Sequence, residues 1–159
     1  RFRHALRAAA QRGVKITVLL QGRSDHPLLL YATRALYSSL FSEGVRIFEY
    51  RKSFLHAKAA VIDDRWATVG SSNIDPFSLL LAKEGNLLVA DREFAATLKS
   101  SLAQAMADGA VELRQQDWQR ASLGARLLHW VCYGAVRLLV GIAGYGPKHW
   151  QADVQQDNT

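Results

Sequence analysis

The stretch FLHAKAAVIDDRWATVGSSNID, residues 54–75, most narrows what this chain can become. Two short runs of small and β-branched apolar residues flank Asp63, Asp64 and Arg65, and such runs separated by turn residues form a β-hairpin. Side chains alternate along a strand, so His56, Lys58 and Ala60 share one face while Ala57, Ala59 and Val61 share the other. The hairpin reads as buried, and a buried ammonium without a partner is costly. Folding alone gives no reason for a lysine beside a histidine there. A ligand that pairs with the lysine does.

The surroundings predict an α/β layered fold. Residues 1–13 read as a helix ending at Gly13, and the apolar run of residues 14–21 as a buried strand. GRSDHP supplies a turn, with Ser24 or Asp25 near the capping positions and Pro27 opening a helix that runs to Gly44. Residues 45–50, VRIFEY, alternate as a strand. After Asn73 a loop containing Pro76 leads to a strand over residues 86–91 and a surface helix over residues 92–109. The main domain is expected over residues 1–110, with residues 111–159 as a basic and apolar tail. A chain of 159 residues has room for one substantial core.

Charge is unevenly spread within the net +6. Eleven Lys and Arg face three acids up to Lys58; beyond it nine bases face eleven acids. The basic first third suits an anionic partner, either nucleic acid or an acidic lipid surface, and charge does not choose between them. Cys132, the single cysteine, cannot pair within the chain, which excludes an internal disulfide framework and favours a reducing, cytosolic face. The chain opens at Arg1 without a methionine or a secretory signal and reads as part of a longer protein.

Residues 127–146 are long enough to span a bilayer, but Arg137 falls near the middle, where a charge costs about 2.5–3.5 kcal/mol. Spanning is disfavoured. At helical spacing Arg126, His129, Tyr133 and Arg137 form a polar stripe opposite Leu123, Leu127, Trp130, Val131, Leu138 and Ile142. Two readings follow: a helix lying in a membrane interface, or one packed on this domain or on a missing half. The last nine residues, QADVQQDNT, read as disordered.

The hairpin resembles the signature of the phospholipase D superfamily: His-x-Lys, four residues, Asp, six residues, Gly-Ser. Here these are His56, Lys58, Asp63, Gly70 and Ser71, with Asn73 and Glu84 following at the family's spacing. Singly, each residue has a plain explanation as a core histidine, a turn or hairpin punctuation. Jointly, those explanations would have to coincide at every separation and still leave Lys58 unpaired. Phosphodiester exchange needs a nucleophile, a proton donor for the leaving alkoxide and positive groups around the phosphoryl oxygens. His56 can serve either of the first two roles. Lys58, the Ser71 hydroxyl and the Asn73 amide suit the oxygens, and Glu84 can orient the His56 ring. Asp63, at the strand end, is grouped with His56 and Lys58 as catalytic by its place in the signature, and reads equally as a brace for the turn.

Within the superfamily, roughly residues 13–106 resemble the bacterial cardiolipin synthases, the B type in particular. These enzymes carry two copies of the motif; no second His-x-Lys pair occurs at His4, His26, His129 or His149. The resemblance therefore implies a mixed β-sheet flanked by helices, and one half of a pseudo-two-fold enzyme whose N-terminal half is missing. It implies phosphatidyl transfer: two phosphatidylglycerols become cardiolipin and glycerol through a phosphohistidine, with no metal or cofactor. The implied partners are anionic phosphatidylglycerol, a membrane surface on the cytoplasmic side of the bacterial cell membrane, and the missing half with its second motif. Two alternatives remain. A dimeric phosphodiesterase of this superfamily would take nucleic acid, and a non-catalytic module would bind membrane without turnover.

Overall fold

The computed structural model describes residues 2–71, 85–120 and 122–142. Asn73, Glu84, the loop expected over residues 74–84 and the terminal residues 151–159 lie outside them.

The chain begins with α1 (Phe2–Gln11) and β1 (Thr17–Gln21), followed by α2 (Pro27–Arg34), α3 (Tyr37–Ser42) and β2 (Arg46–Tyr50). Gly13 and Gly44 each take a positive φ, +85° and +75°, and end α1 and α3 in the same way. In both, the glycine N–H and the next N–H turn back onto the last helical turn: Gly13 to Ala10 and Val14 to Ala9, Gly44 to Phe41 and Val45 to Leu40. This closure occupies Val14, so β1 starts at Thr17 instead of at residue 14. The helix expected from Pro27 to Gly44 is interrupted at Ala35 and Leu36, where the Leu36 N–H bonds to the Thr33 carbonyl and the turn tightens.

Next come β3 (Ala59–Ile62), β4 (Trp66–Gly70), β5 (Asn86–Ala90), α4 (Arg92–Gly109), β6 (Ala110–Leu113), α5 (Gln115–Gln119) and α6 (Leu123–Ile142). The strands form two three-stranded sheets. In the mixed sheet, ordered β1-β2-β6, β2 runs parallel to β1 and antiparallel to β6; β3-β4-β5 is an antiparallel meander. Helix α4, capped by the Asp91 carboxylate accepting from the Phe94 N–H at 2.8 Å, packs against β2 and β6 and against all three strands of the meander. It ties the two sheets together.

The main core is built on the inward side of β2. Val45 and Ile47 pack with Tyr37, Leu40 and Phe41 of α3, and Leu6, Val18, Leu113 and Trp118 close around them. Residues 111–142, expected as a tail, are therefore joined to this body: β6 completes the mixed sheet and α5 lends Trp118 to the core. Helix α6 lies along α2, burying Cys132 and Val136 against Ala32. It is continuous through Gly134 and Gly141.

Candidate active site

The hairpin of β3 and β4 turns through Asp63 and Asp64, both with left-handed φ, 52° and 51°, and is closed by the Arg65 N–H on the Ile62 carbonyl at 3.2 Å. Short acidic side chains tolerate this conformation, which matches the twist of the flanking strands. Asp63 thus stands in the turn itself, and Asp64 pairs with Lys99 of α4.

His56 and Lys58 lie in the extended segment just before β3 and not inside a strand. The Gly70 N–H donates to the Lys58 carbonyl at 2.9 Å, so the hairpin ladder continues one step back to Lys58. Two residues apart in extended chain, the two side chains project to one side, and Lys58 Nζ lies 2.7 Å from His56 Nε2. An ammonium has only hydrogens to offer, so Nε2 is the acceptor and Nδ1 carries the ring proton. The hairpin is not buried as the sequence led one to expect. Among the strand residues of β3 and β4, Ala67 alone is buried; His56 is exposed and Lys58 half-buried. The lysine's cost of burial is met by its open position and by the imidazole.

At the other strand, Gly70 pairs with Asn86 of β5 in a space that admits no side chain: a Cβ would fall 2.7 Å from the Asn86 Cα and closer still to Asn86 Oδ1 and the Gly85 carbonyl oxygen. Ser71 holds the same junction. Its N–H donates to the Gly85 carbonyl at 3.0 Å and its Oγ accepts from the Gly85 N–H at 3.0 Å. The hydroxyl expected to meet phosphate is thus engaged in the backbone of the neighbouring strand, with a second contact to the Gly85 oxygen at 3.4 Å. On the face shared with His56 and Lys58, Ile62, Trp66 and Leu88 are exposed, leaving an apolar surface beside the polar pair.

One charged cluster near this segment was not singled out in the sequence. Glu49, at the end of β2, is fully buried. Arg34 grips it with two bonds, Nε to Oε1 at 2.9 Å and Nη2 to Oε2 at 3.0 Å; Arg51 Nη2 reaches Oε2 at 2.7 Å and the Tyr37 hydroxyl donates to Oε1 at 3.2 Å. Burial, and then the Glu49 carboxylate, push the Tyr37 phenol well above its ordinary range, so it stays a donor. The signal was present: Val45, Ile47 and Glu49 share one face of an alternating strand, which places a carboxylate at a core position. The cluster anchors Arg51 at the start of the segment that carries His56.

Among the described residues no group of three or more His, Cys, Asp and Glu side chains converges as a metal site would require. The described pair can do acid–base or nucleophilic chemistry through an imidazole and bind an anion through an ammonium.

Comparison with known proteins places these features. A family model described as cardiolipin synthase, PLD-like domain matches residues 1–106. The chain is 52% identical over 102 residues to cardiolipin synthase B of Escherichia coli strain K12, covering 64% of this chain and 25% of that protein. It is 34% identical over 122 residues to the cardiolipin synthase of Staphylococcus aureus strain Mu50, covering 77% of this chain and 24% of that one. The chain thus spans about a quarter of the length of the curated relatives it matches. In fold it is similar to Nuc of Salmonella typhimurium, a phospholipase D family member, with a TM-score of 0.57 at 15% identity, over 70% of this chain and 72% of that one.

Proposed function

From the premise that this chain belongs to the family of cardiolipin synthase PLD-like domains, we propose that it supplies one of two half-sites of a phosphatidyltransferase that converts two phosphatidylglycerols into cardiolipin and glycerol. The observation that carries the reading is the contact between Lys58 and His56 beside an exposed apolar sheet face, in a chain 52% identical over 102 residues to a cardiolipin synthase.

In the first step a histidine nitrogen attacks the phosphorus of one phosphatidylglycerol. The phosphorus–oxygen bond to glycerol breaks, and the departing oxygen takes a proton from an acid on the opposite side. In the second step the hydroxyl of another phosphatidylglycerol attacks the phosphohistidine, gives its proton to the same group acting as base, and frees the histidine. His56 takes the proton-transfer role, with the nucleophilic histidine in the other half. A phosphate oxygen is a stronger acceptor for an ammonium than imidazole is, so substrate entry draws Lys58 off Nε2. The freed Nε2 takes up a proton from water, and the resulting imidazolium is the acid that protonates the departing glycerol oxygen in the first step. Glu84, next in sequence to Gly85, supplies the acceptor that holds the Nδ1 proton. Residues 1–110 together with the rest of β6 form the catalytic half-domain, with Asn73 at the phosphate while Gly85 holds the Ser71 hydroxyl. The enzyme works peripherally at the cytoplasmic membrane surface.

The test is a turnover assay on phosphatidylglycerol vesicles with the complete enzyme, quantifying cardiolipin and glycerol together. Equimolar cardiolipin and glycerol, abolished by His56→Ala, is the expected result. Cleavage of plasmid DNA with no lipid product would overturn the reading in favour of a nuclease.

A further inference from the structure

The buried and open sides of α6 divide its side chains in a way that neither packing nor catalysis explains. His129, Cys132 and Val136 turn inward against α2. The opposite side of the helix presents Leu123, Leu127, Trp130, Val131 and Leu138, all exposed, with Leu127 at 64% and Trp130 at 56%. At about 100° per residue these five form a continuous apolar stripe over roughly a third of the circumference. Arg126 and Arg137, both exposed, fall on the border between that face and the buried side. The helix contains no acidic residue.

We propose that this face of α6 is the docking surface for an anionic phospholipid bilayer, on which the helix lies flat with its leucines and Trp130 among the acyl chains and Arg126 and Arg137 at the phosphates. Charge selects this occupant over a second copy of the chain: an identical face would bring more arginines to the same rim and no carboxylate to pair them, whereas lipid phosphates are complementary. The family match ends at residue 106 and α6 begins at Leu123, so this face lies beyond the matched segment. Geometry selects lying over spanning. No helix among the described residues is long and apolar enough to cross a membrane. Contact with α2 also occupies the flank of α6 that carries His129, Cys132 and Val136. The proposal rests on the phosphatidyl-transfer reading only for the sign of the headgroup.

The experiment is co-sedimentation of the intact protein with phosphatidylcholine vesicles, with and without phosphatidylglycerol, alongside turnover on detergent-dispersed phosphatidylglycerol. Leu127→Asp with Val131→Asp is expected to weaken binding to both vesicle types by about tenfold or more. Arg126→Gln with Arg137→Gln should weaken binding to anionic vesicles only, by about fivefold per arginine. Both pairs should keep turnover in detergent. Trp130→Phe, which conserves the apolar surface, should retain binding but lose the blue shift of tryptophan emission that vesicles induce in the unaltered protein. Vesicle binding unchanged by the Leu127 and Val131 pair, or self-association that this pair abolishes, would overturn the proposal. Binding that behaves as described without any turnover would leave it standing and remove the transferase reading instead.

Discussion

The His129 imidazole lies parallel to the Trp118 indole, with 6° between the planes and 5.3 Å between centroids, and also stacks with Tyr31 at 5.7 Å. Three elements meet through this ring: α2 by Tyr31, α5 by Trp118 and α6 by His129. Arg34, which holds Glu49, also lies over Tyr31. The histidine expected as part of a solvent-facing polar stripe is the inner contact of the helix.

Burial, and then the nearby Arg34 guanidinium, hold the His129 pKa below its ordinary value of about 6.5. A depressed folded-state pKa means that the unfolded chain binds more protons, so this group's stabilisation is complete above about pH 6.5 and is lost as pH falls through the folded pKa. Acidification should therefore lower the thermal midpoint, with α6 releasing from α2. His129→Phe should flatten that part of the pH profile. A profile identical to the unaltered protein's would remove His129 as its source.

His56→Ala and Lys58→Ala should each abolish transfer in the complete enzyme, by about a hundredfold to ten-thousandfold. Both side chains stand at the surface and touch each other, so the thermal midpoint should hardly move. Turnover and thermal unfolding measured on one preparation check both halves of the expectation.

Glu49→Ala should destabilise the fold by about 3–5 kcal/mol, because it strands the Arg34 guanidinium against a core that has lost its carboxylate. Glu49→Gln keeps the shape and part of the bonding and should be milder. Chemical denaturation of both variants gives the comparison.

Gly70→Ala and Gly134→Ala should have opposite signs. At Gly70 the added methyl meets backbone atoms of Gly85 and Asn86, which cannot yield without opening β4 from β5. At Gly134, inside α6, nothing lies within 4 Å, and the substitution should stabilise by about 0.5–1 kcal/mol. Unfolding midpoints of the two variants test the pair.

The parts legible in the sequence were those whose cause is local. The turn at Asp63 and Asp64, the helix ends at Gly13 and Gly44, and the shared face of His56 and Lys58 follow from short-range backbone chemistry and the two-residue strand period. The misread parts depend on distant partners. Residues 110–113 form a strand only because β2 offers an open edge, and nothing in AVEL after a long helix announces it. His129 looks polar until Tyr31 and Trp118 supply its surroundings. The Ser71 hydroxyl could not be assigned to Gly85 without knowing that β5 lies beside β4.

The late arrival of β6 sets an order of assembly. The meander β3-β4-β5 pairs neighbours in the chain, with three residues between β3 and β4 and fifteen between β4 and β5, far fewer than separate β2 from β6. The mixed sheet needs contacts such as Arg46 with Glu112, 66 residues apart, which are available only after α4 has emerged and turned back. During synthesis the strands around His56 and Lys58 can thus form while β2 still waits with a bare edge, and an unpaired edge is an aggregation hazard. The nascent chain is most vulnerable in the interval between translation of residue 50 and residue 113, and truncation before β6 leaves that edge permanently open.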